Sequence, residues 1–131
     1  MKLKGYFVFA VLSMAIAIAF GALGAHALKN IFDIHAIESW KTAVFYQIVH
    51  SLSVLIIVLF GNIYKKVDVR LVLKLMVYGF VIFSSSIYIL SFNSIWTIEW
   101  LGKVLGPLTP IGGLLMISSW LVLVSKVLKL K

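Results

Sequence analysis

The stretch TAVFYQIVHSLSVLIIVLFGNI, residues 42–63, decides the fold. It holds no Asp, Glu, Lys or Arg. As a helix rising 1.5 Å per residue it is about 33 Å long, which matches the ~30 Å hydrocarbon core of a bilayer. It opens with Thr42, Tyr46, Gln47, His50, Ser51 and Ser53, then turns aliphatic through Phe60. Gly61-Asn62 ends it and Lys65-Lys66 anchors it. Three further apolar stretches cover residues 5–27, 71–92 and 104–125, with Lys74 near the start of the second as their one charged residue. The expected fold is an all-α integral membrane protein, a four-transmembrane-helix bundle in which residues 1–131 make a single domain.

Composition agrees. Apolar residues make up 63% of the chain and charged residues 12%, against about 45–50% and about 25% in soluble domains. The absence of cysteine excludes disulfides, thiolate metal sites and thiol catalysis. The net charge of +8 sits at the ends of apolar spans rather than on a soluble face, so membrane lipids with anionic headgroups are the expected partners and nucleic acid is not.

The basic residues also orient the chain. Lys2, Lys4, Lys65, Lys66, Arg70, Lys74, Lys126, Lys129 and Lys131 share one side of a four-span topology; Lys29, Lys41 and Lys103 take the other. The positive-inside rule then places both termini in the cytoplasm of a cell that carries the protein in its plasma (inner) membrane. Trp40, Trp96 and Trp100 flank the outer ends, and Tyr6, Tyr64 and Trp120 the inner ends, where aromatic rings favour the headgroup level. Ala25-His26-Ala27 has the form of a signal-peptidase site. The first span is long for a signal core, however, and its loss would put the termini on opposite sides, so it is read as a retained helix.

Within the first span Ser13, Ala17, Gly21 and Ala25 recur every fourth residue, and Ala15, Ala19, Ala22 and His26 form a second stripe. Small residues at this spacing let helices approach closely in lipid. Two stripes predict neighbours on two sides and a central position. The loop at 28–41 mixes Asp33, His35, Glu38 and Trp40 with Ile31, Phe32, Ile34 and Ile37. It reads as a short helix on the outer surface with Asp33 as N-cap. In the fourth span Pro107 and Pro110 fall near the expected start, where the early N–H groups have no internal partner.

Topology gathers the polar residues. His26 ends the first span; His50 lies about 12 Å below the outer surface; Ser84 lies at nearly the same depth, Tyr88 nearer the surface, and Thr109, Gly112 and Gly113 in the outer half. Tyr46, His50 and Ser53 share a helical face, as do Ser84, Tyr88 and Ser91. The candidate ligand-binding set is His26, Tyr46, Gln47, His50, Ser84, Tyr88, Thr109, Gly112 and Gly113, around a pocket that opens outward. The competing reading is a set of side chains that bond only one another, each bond contributing roughly 0.6 kcal/mol in lipid. No catalytic set assembles: the spans hold no carboxylate at depth to complete a Ser-His-acid triad or a proton-coupled carrier. No metal and no cofactor is expected.

Four segments resemble one family in order along the whole chain. They are Gly21-Ala22-Leu23-Gly24-Ala25-His26, Trp40-Lys41-Thr42-Ala43 followed by Tyr46-Gln47-Ile48-Val49-His50, Phe83-Ser84-Ser85-Ser86-Ile87-Tyr88, and Thr109-Pro110-Ile111-Gly112-Gly113 with Trp120. They resemble the bacterial domain-of-unknown-function 423 group, related to eukaryotic transmembrane protein 256. Ser85 and Ser119 stand where that family usually has glycine. The resemblance implies a multi-pass plasma-membrane protein with four helices and no established biochemical activity. The expected function is accordingly a non-enzymatic membrane protein that binds lipid or a small amphiphile, or supports a membrane partner or a second copy of itself. The alternatives are a small oligomeric transporter or channel, and a haem-binding redox protein built on His26 and His50.

Overall fold

The computed structural model describes residues 2–129; Lys131, counted above among the basic residues, lies outside them. Four long helices run α1 (Leu3–Ala25), α2 (Ile34–Ile63), α3 (Arg70–Trp96) and α4 (Glu99–Val127). All four are long and apolar enough to cross a membrane.

The first loop holds one 3₁₀ turn, Leu28–Asn30. The amphipathic segment after it does not form an element of its own but opens α2. Asp33 caps the helix as expected, its Oδ1 accepting from the Ala36 N–H at 2.8 Å. No glycine or proline interrupts 34–42, and Ala36, Ile37, Trp40, Ala43 and Val44 bury one continuous face. A break between surface helix and span would have to sacrifice that face. One consequence is a shift in depth. His50 lies about 24 Å along α2 from its start, at mid-length, rather than about 12 Å below one end.

The two inter-helix turns at the other joints are closed by side chains. Between α2 and α3, the Asp68 carboxylate accepts from the Arg70 backbone N–H at 3.0 Å and from its Nε at 3.1 Å. The Arg70 backbone N–H, foremost, and the nearby Arg70 and Lys126 charges hold the Asp68 carboxyl below its usual range. Between α3 and α4, Thr97 takes left-handed backbone angles at φ 51°. Asn93 clamps that turn, accepting from the Ile98 N–H at 2.9 Å and donating to the Ile98 carbonyl at 3.2 Å. Because α4 begins at Glu99, Pro107 and Pro110 sit inside the helix, not in its first turn. Each deletes one intrahelical N–H donor, a loss that membrane helices tolerate.

The packing order follows the chain: α1 lies on α2, α2 on α3, and α3 on α4. The middle pair is therefore α2 and α3, and α1 is peripheral. Only one of its two small-residue stripes is used. Ser13 and Ala17 are buried and Gly21 half-buried against Val44, with Gly24 in place of exposed Ala25 completing the contact. A Cβ at Gly24 would stand 2.7 Å from Trp40 Cδ1. The stripe of Ala15, Ala19, Ala22 and His26 is exposed. Helices α3 and α4 meet at a pair of glycines. A Cβ on Gly112 would stand 2.6 Å from the Phe83 nitrogen and 2.7 Å from the Gly79 carbonyl oxygen.

Candidate functional site

Three helices contribute polar groups to a layer at mid-length: Ser13 from α1, Gln47 and Ser51 from α2, and Ser84 and Tyr88 from α3. Gln47 of α2 donates through Nε2 to the carbonyl and hydroxyl oxygens of Ser13 on α1, at 3.0 and 3.2 Å. Its Oε1 accepts from the Tyr88 hydroxyl of α3 at 2.8 Å. Ser51 donates to the Ser13 hydroxyl at 2.9 Å. Close by, Ser84 reaches across from α3 and donates to the Ala43 carbonyl of α2 at 3.1 Å. Every residue of this network is buried. The layer divides two apolar clusters. One, toward the termini, is built on Tyr6, Val54, Ile57, Leu73, Met76 and Phe80. The other, toward the α1–α2 and α3–α4 turns, is built on Phe32, Ile37, Trp40 and Tyr88.

Trp40 belongs to that second cluster, not to an interfacial belt. It is 3% exposed, against 51% for Trp96 and 62% for Trp100. Its indole N–H donates to the Phe20 carbonyl at 2.8 Å, and its ring lies 4.5 Å from Tyr88 and 5.4 Å from Phe20 between centroids. The early start of α2 puts Trp40 well inside the helix, where its flat ring fills the space that Gly24 leaves open.

The nine residues singled out from sequence separate into distinct places. Gln47, Ser84 and Tyr88 join the α1–α2–α3 network just described. Tyr46 and His50 sit at the α2–α3 seam: their rings stack at 5.5 Å and 12°, with Phe83 against Tyr46 and Phe80 against His50. Thr109 links α4 to α3, its hydroxyl 2.8 Å from the Ser86 hydroxyl. Gly112 is the α3–α4 crossing point, but a Cβ on Gly113 would meet open space. His26 is exposed at the end of α1 and joins none of these groups. His26 and His50 are thus not brought together as a ligand pair. Ser53 and Ser91, expected beside the site, donate to carbonyls of their own helices, those of Val49 and Ile87.

Sequence reasoning did not single out Ser13 and Trp40 as polar partners. In the sequence Ser13 reads only as a small residue in a packing stripe. Its position opposite a Gln47–Ser51 pair spaced by one helical turn was the available signal. Ser119, one of the two departures from the family pattern, is fully buried and donates to the Val72 carbonyl of α3 at 2.8 Å. Ser85, the other, is exposed and bonds the Val81 carbonyl of its own helix.

Beside the polar layer, a cleft of about 420 Å³ lies between α1 and α3 with Gln47 of α2 at its floor. Phe9, Leu12, Ile16 and Phe20 form one wall, and Phe80, Val81, Ser85 and Tyr88 the other. The rim residues Leu12, Ile16, Val81 and Ser85 are exposed, so the cleft opens sideways, toward the lipid of a membrane around the helices. Among the described residues no buried side-chain nitrogen or oxygen lacks a partner. No group of three or more His, Cys, Asp or Glu among them could hold a metal ion.

Comparison with known proteins gives a consistent result. Residues 20–113 match the family model described as "Protein of unknown function (DUF423)". The chain is 34% identical over 122 residues to UPF0382 membrane protein SSP2132 of Staphylococcus saprophyticus, covering 93% of this chain and 95% of the relative. It is 30% identical over 128 residues to UPF0382 membrane protein YwdK of Bacillus subtilis, covering 97% and 98%. It is 38% identical over 112 residues to UPF0382 membrane protein C1782.12c of Schizosaccharomyces pombe, covering 85% and 91%. No solved structure matches.

Proposed function

We propose, for a chain that belongs to the DUF423 family and whose relatives are membrane proteins, a non-enzymatic role as a four-span plasma-membrane protein that holds the hydrocarbon part of a lipid or small amphiphile in the cleft between α1 and α3. The observation that carries this reading is the cleft's chemistry. Its polar lining groups are engaged: Gln47, Ser13, Ser84 and Tyr88 bond one another or the backbone, and Ser85 bonds its own helix. What remains for an occupant is phenyl and aliphatic surface, in a volume within the range of small-molecule pockets. A polar solute gains nothing there, and an acyl chain does.

Orientation belongs to the same proposal. The end of the bundle that carries both termini and the α2–α3 turn holds Lys2, Lys4, Lys65, Lys66, Arg70, Lys74, Lys126 and Lys129, which favours the cytoplasmic side. The test is labelling with a phospholipid that carries a photoreactive group on its acyl chain, in native-lipid nanodiscs. Val81→Trp fills the cleft from its exposed rim and leaves the buried network untouched. Labelling concentrated on α1 and α3 and lost in Val81→Trp is the expected outcome. Labelling spread evenly over all four helices and unchanged in the variant refutes the cleft.

A further inference from the structure

His50 is the only imidazole within the body of the bundle, and one of its nitrogens is unused. Nδ1 lies 2.8 Å from the Tyr46 carbonyl oxygen. A carbonyl only accepts, so Nδ1 carries the proton and the neutral ring leaves a bare lone pair at Nε2. Among the described residues no donor reaches Nε2. No enclosed side-chain nitrogen among them lacks a partner, so Nε2 is not enclosed. It meets the surface although the residue is only 9% exposed, and it does so at mid-length of α2, where the surroundings are hydrocarbon. The Tyr46 ring lies roughly parallel to the imidazole at 5.5 Å between centroids and the Phe80 ring at 6.3 Å, so the neighbours of the ring are aromatic and offer Nε2 no donor.

An acceptor at this depth gains from any donor that can reach it, and the choice of donors is narrow. Phosphates, carboxylates and esters offer no proton. Ammonium groups and charged headgroups stay at the interface, because an ion in the hydrocarbon core is costly. A neutral amphiphile with a hydroxyl group satisfies both conditions. We infer that Nε2 of His50 is a hydrogen-bond acceptor for the hydroxyl of such an amphiphile, at the α2–α3 seam, where only Phe80 is shared with the lining of the α1–α3 cleft. Tyr46 has two parts in this site: its carbonyl sets the tautomer and its ring holds the imidazole flat. The inference goes beyond the cleft and does not depend on it.

The experiment uses the full chain in phosphatidylcholine nanodiscs with ¹⁵N-labelled histidine. His26→Gln and His35→Gln, both at exposed positions, leave the His50 resonances alone in the spectrum. Oleyl alcohol is titrated in, with oleyl methyl ether as the matched compound that cannot donate. The expected result is a saturable change of the Nε2 resonance with the alcohol and none with the ether. His50→Phe is expected to weaken alcohol binding about threefold, the value of one average hydrogen bond in lipid. The response is also expected to survive Val81→Trp, which separates this site from the cleft. Equal effects of alcohol and ether, no effect of either, or an Nε2 already hydrogen-bonded to water before addition would each overturn the inference. So would loss of the response in Val81→Trp.

Discussion

Gln47 is the residue whose loss the bundle should feel most sharply. Gln47→Met keeps the length and the helix propensity of the side chain and removes only its polar atoms. Two bonds from Nε2 to Ser13 and one from Tyr88 to Oε1 disappear. At roughly 0.6 kcal/mol each in lipid, the bonds amount to about 2 kcal/mol. The Tyr88 hydroxyl is then left buried without an acceptor, which adds about 1 kcal/mol. Ser13 is spared that penalty because Ser51 still donates to its hydroxyl. The expected cost is about 2–3 kcal/mol. Tyr88→Phe leaves the Gln47 Oε1 unpaired in turn and should cost about 1–2 kcal/mol. The double variant removes donor and acceptor together, so the shared bond is lost once rather than twice and no orphan remains; its cost should fall short of the sum by about 2–3 kcal/mol. Reversible unfolding in bicelles, measured for the four proteins of this cycle, reads the coupling directly. Strict additivity would mean that the 2.8 Å contact between Tyr88 and Gln47 contributes nothing, and the polar layer would lose its standing as the element that ties α1, α2 and α3 together.

Three further outcomes are expected. Gly112→Ala should destabilise by about 1–3 kcal/mol through overpacking against Phe83 and Gly79, while Gly113→Ala should stabilise by about 0.5–1 kcal/mol, since an open helical position gains from alanine; thermal unfolding in detergent separates the two. Ala17→Leu should loosen α1 from α2, whereas Ala19→Leu, on the exposed stripe, should leave the protein folded and monodisperse by size-exclusion chromatography. Asp68 has its pKa lowered in the folded chain, so its contribution to the α2–α3 turn is present above the ordinary carboxylate value and is lost as pH falls through the depressed one; the Arg70 amide resonance should titrate below the usual carboxylate range and should not titrate there in Asp68→Asn.

The parts of this fold that were legible in sequence are those set by one segment at a time. Four runs of suitable length and apolarity give four helices, and Asp33 gives a start signal that the structure uses. What was not legible depends on the facing partner. The two small-residue stripes of α1 are chemically equivalent; only the faces of α2, with Val44 and Trp40 directed at Gly21 and Gly24, select one of them. Depth depends on the facing partner for the same kind of reason. Polar character ended the apparent span at Thr42, yet burial of Ala36, Ile37 and Trp40 carries the helix back to Ile34. That displacement moves Trp40 from the headgroup level into the core, sets His50 at mid-length, and turns an expected outward pocket into a layer across the middle.

A polar layer in that position has a consequence that composition alone does not suggest. Helices that are apolar on every side gain no hydrophobic energy by choosing one axial register over another in lipid, because the tails solvate each alternative equally well. Hydrogen bonds do distinguish registers. Sliding α1 by one residue along α2 moves it about 1.5 Å and turns the facing side chain by about 100°. The Nε2 of Gln47 then faces Leu12 or Met14, neither of which offers a side-chain acceptor comparable to the Ser13 hydroxyl. Gln47 is held from the other side by Tyr88, so the register of α1 is tied to α3 as well as to α2. Ser119 does the same for α4 by reaching the Val72 carbonyl, at a position where glycine would leave only van der Waals contact. The walls of the α1–α3 cleft are therefore set by bonds that lie beneath it, and a cleft whose shape depends on register is held constant only as long as those bonds are made.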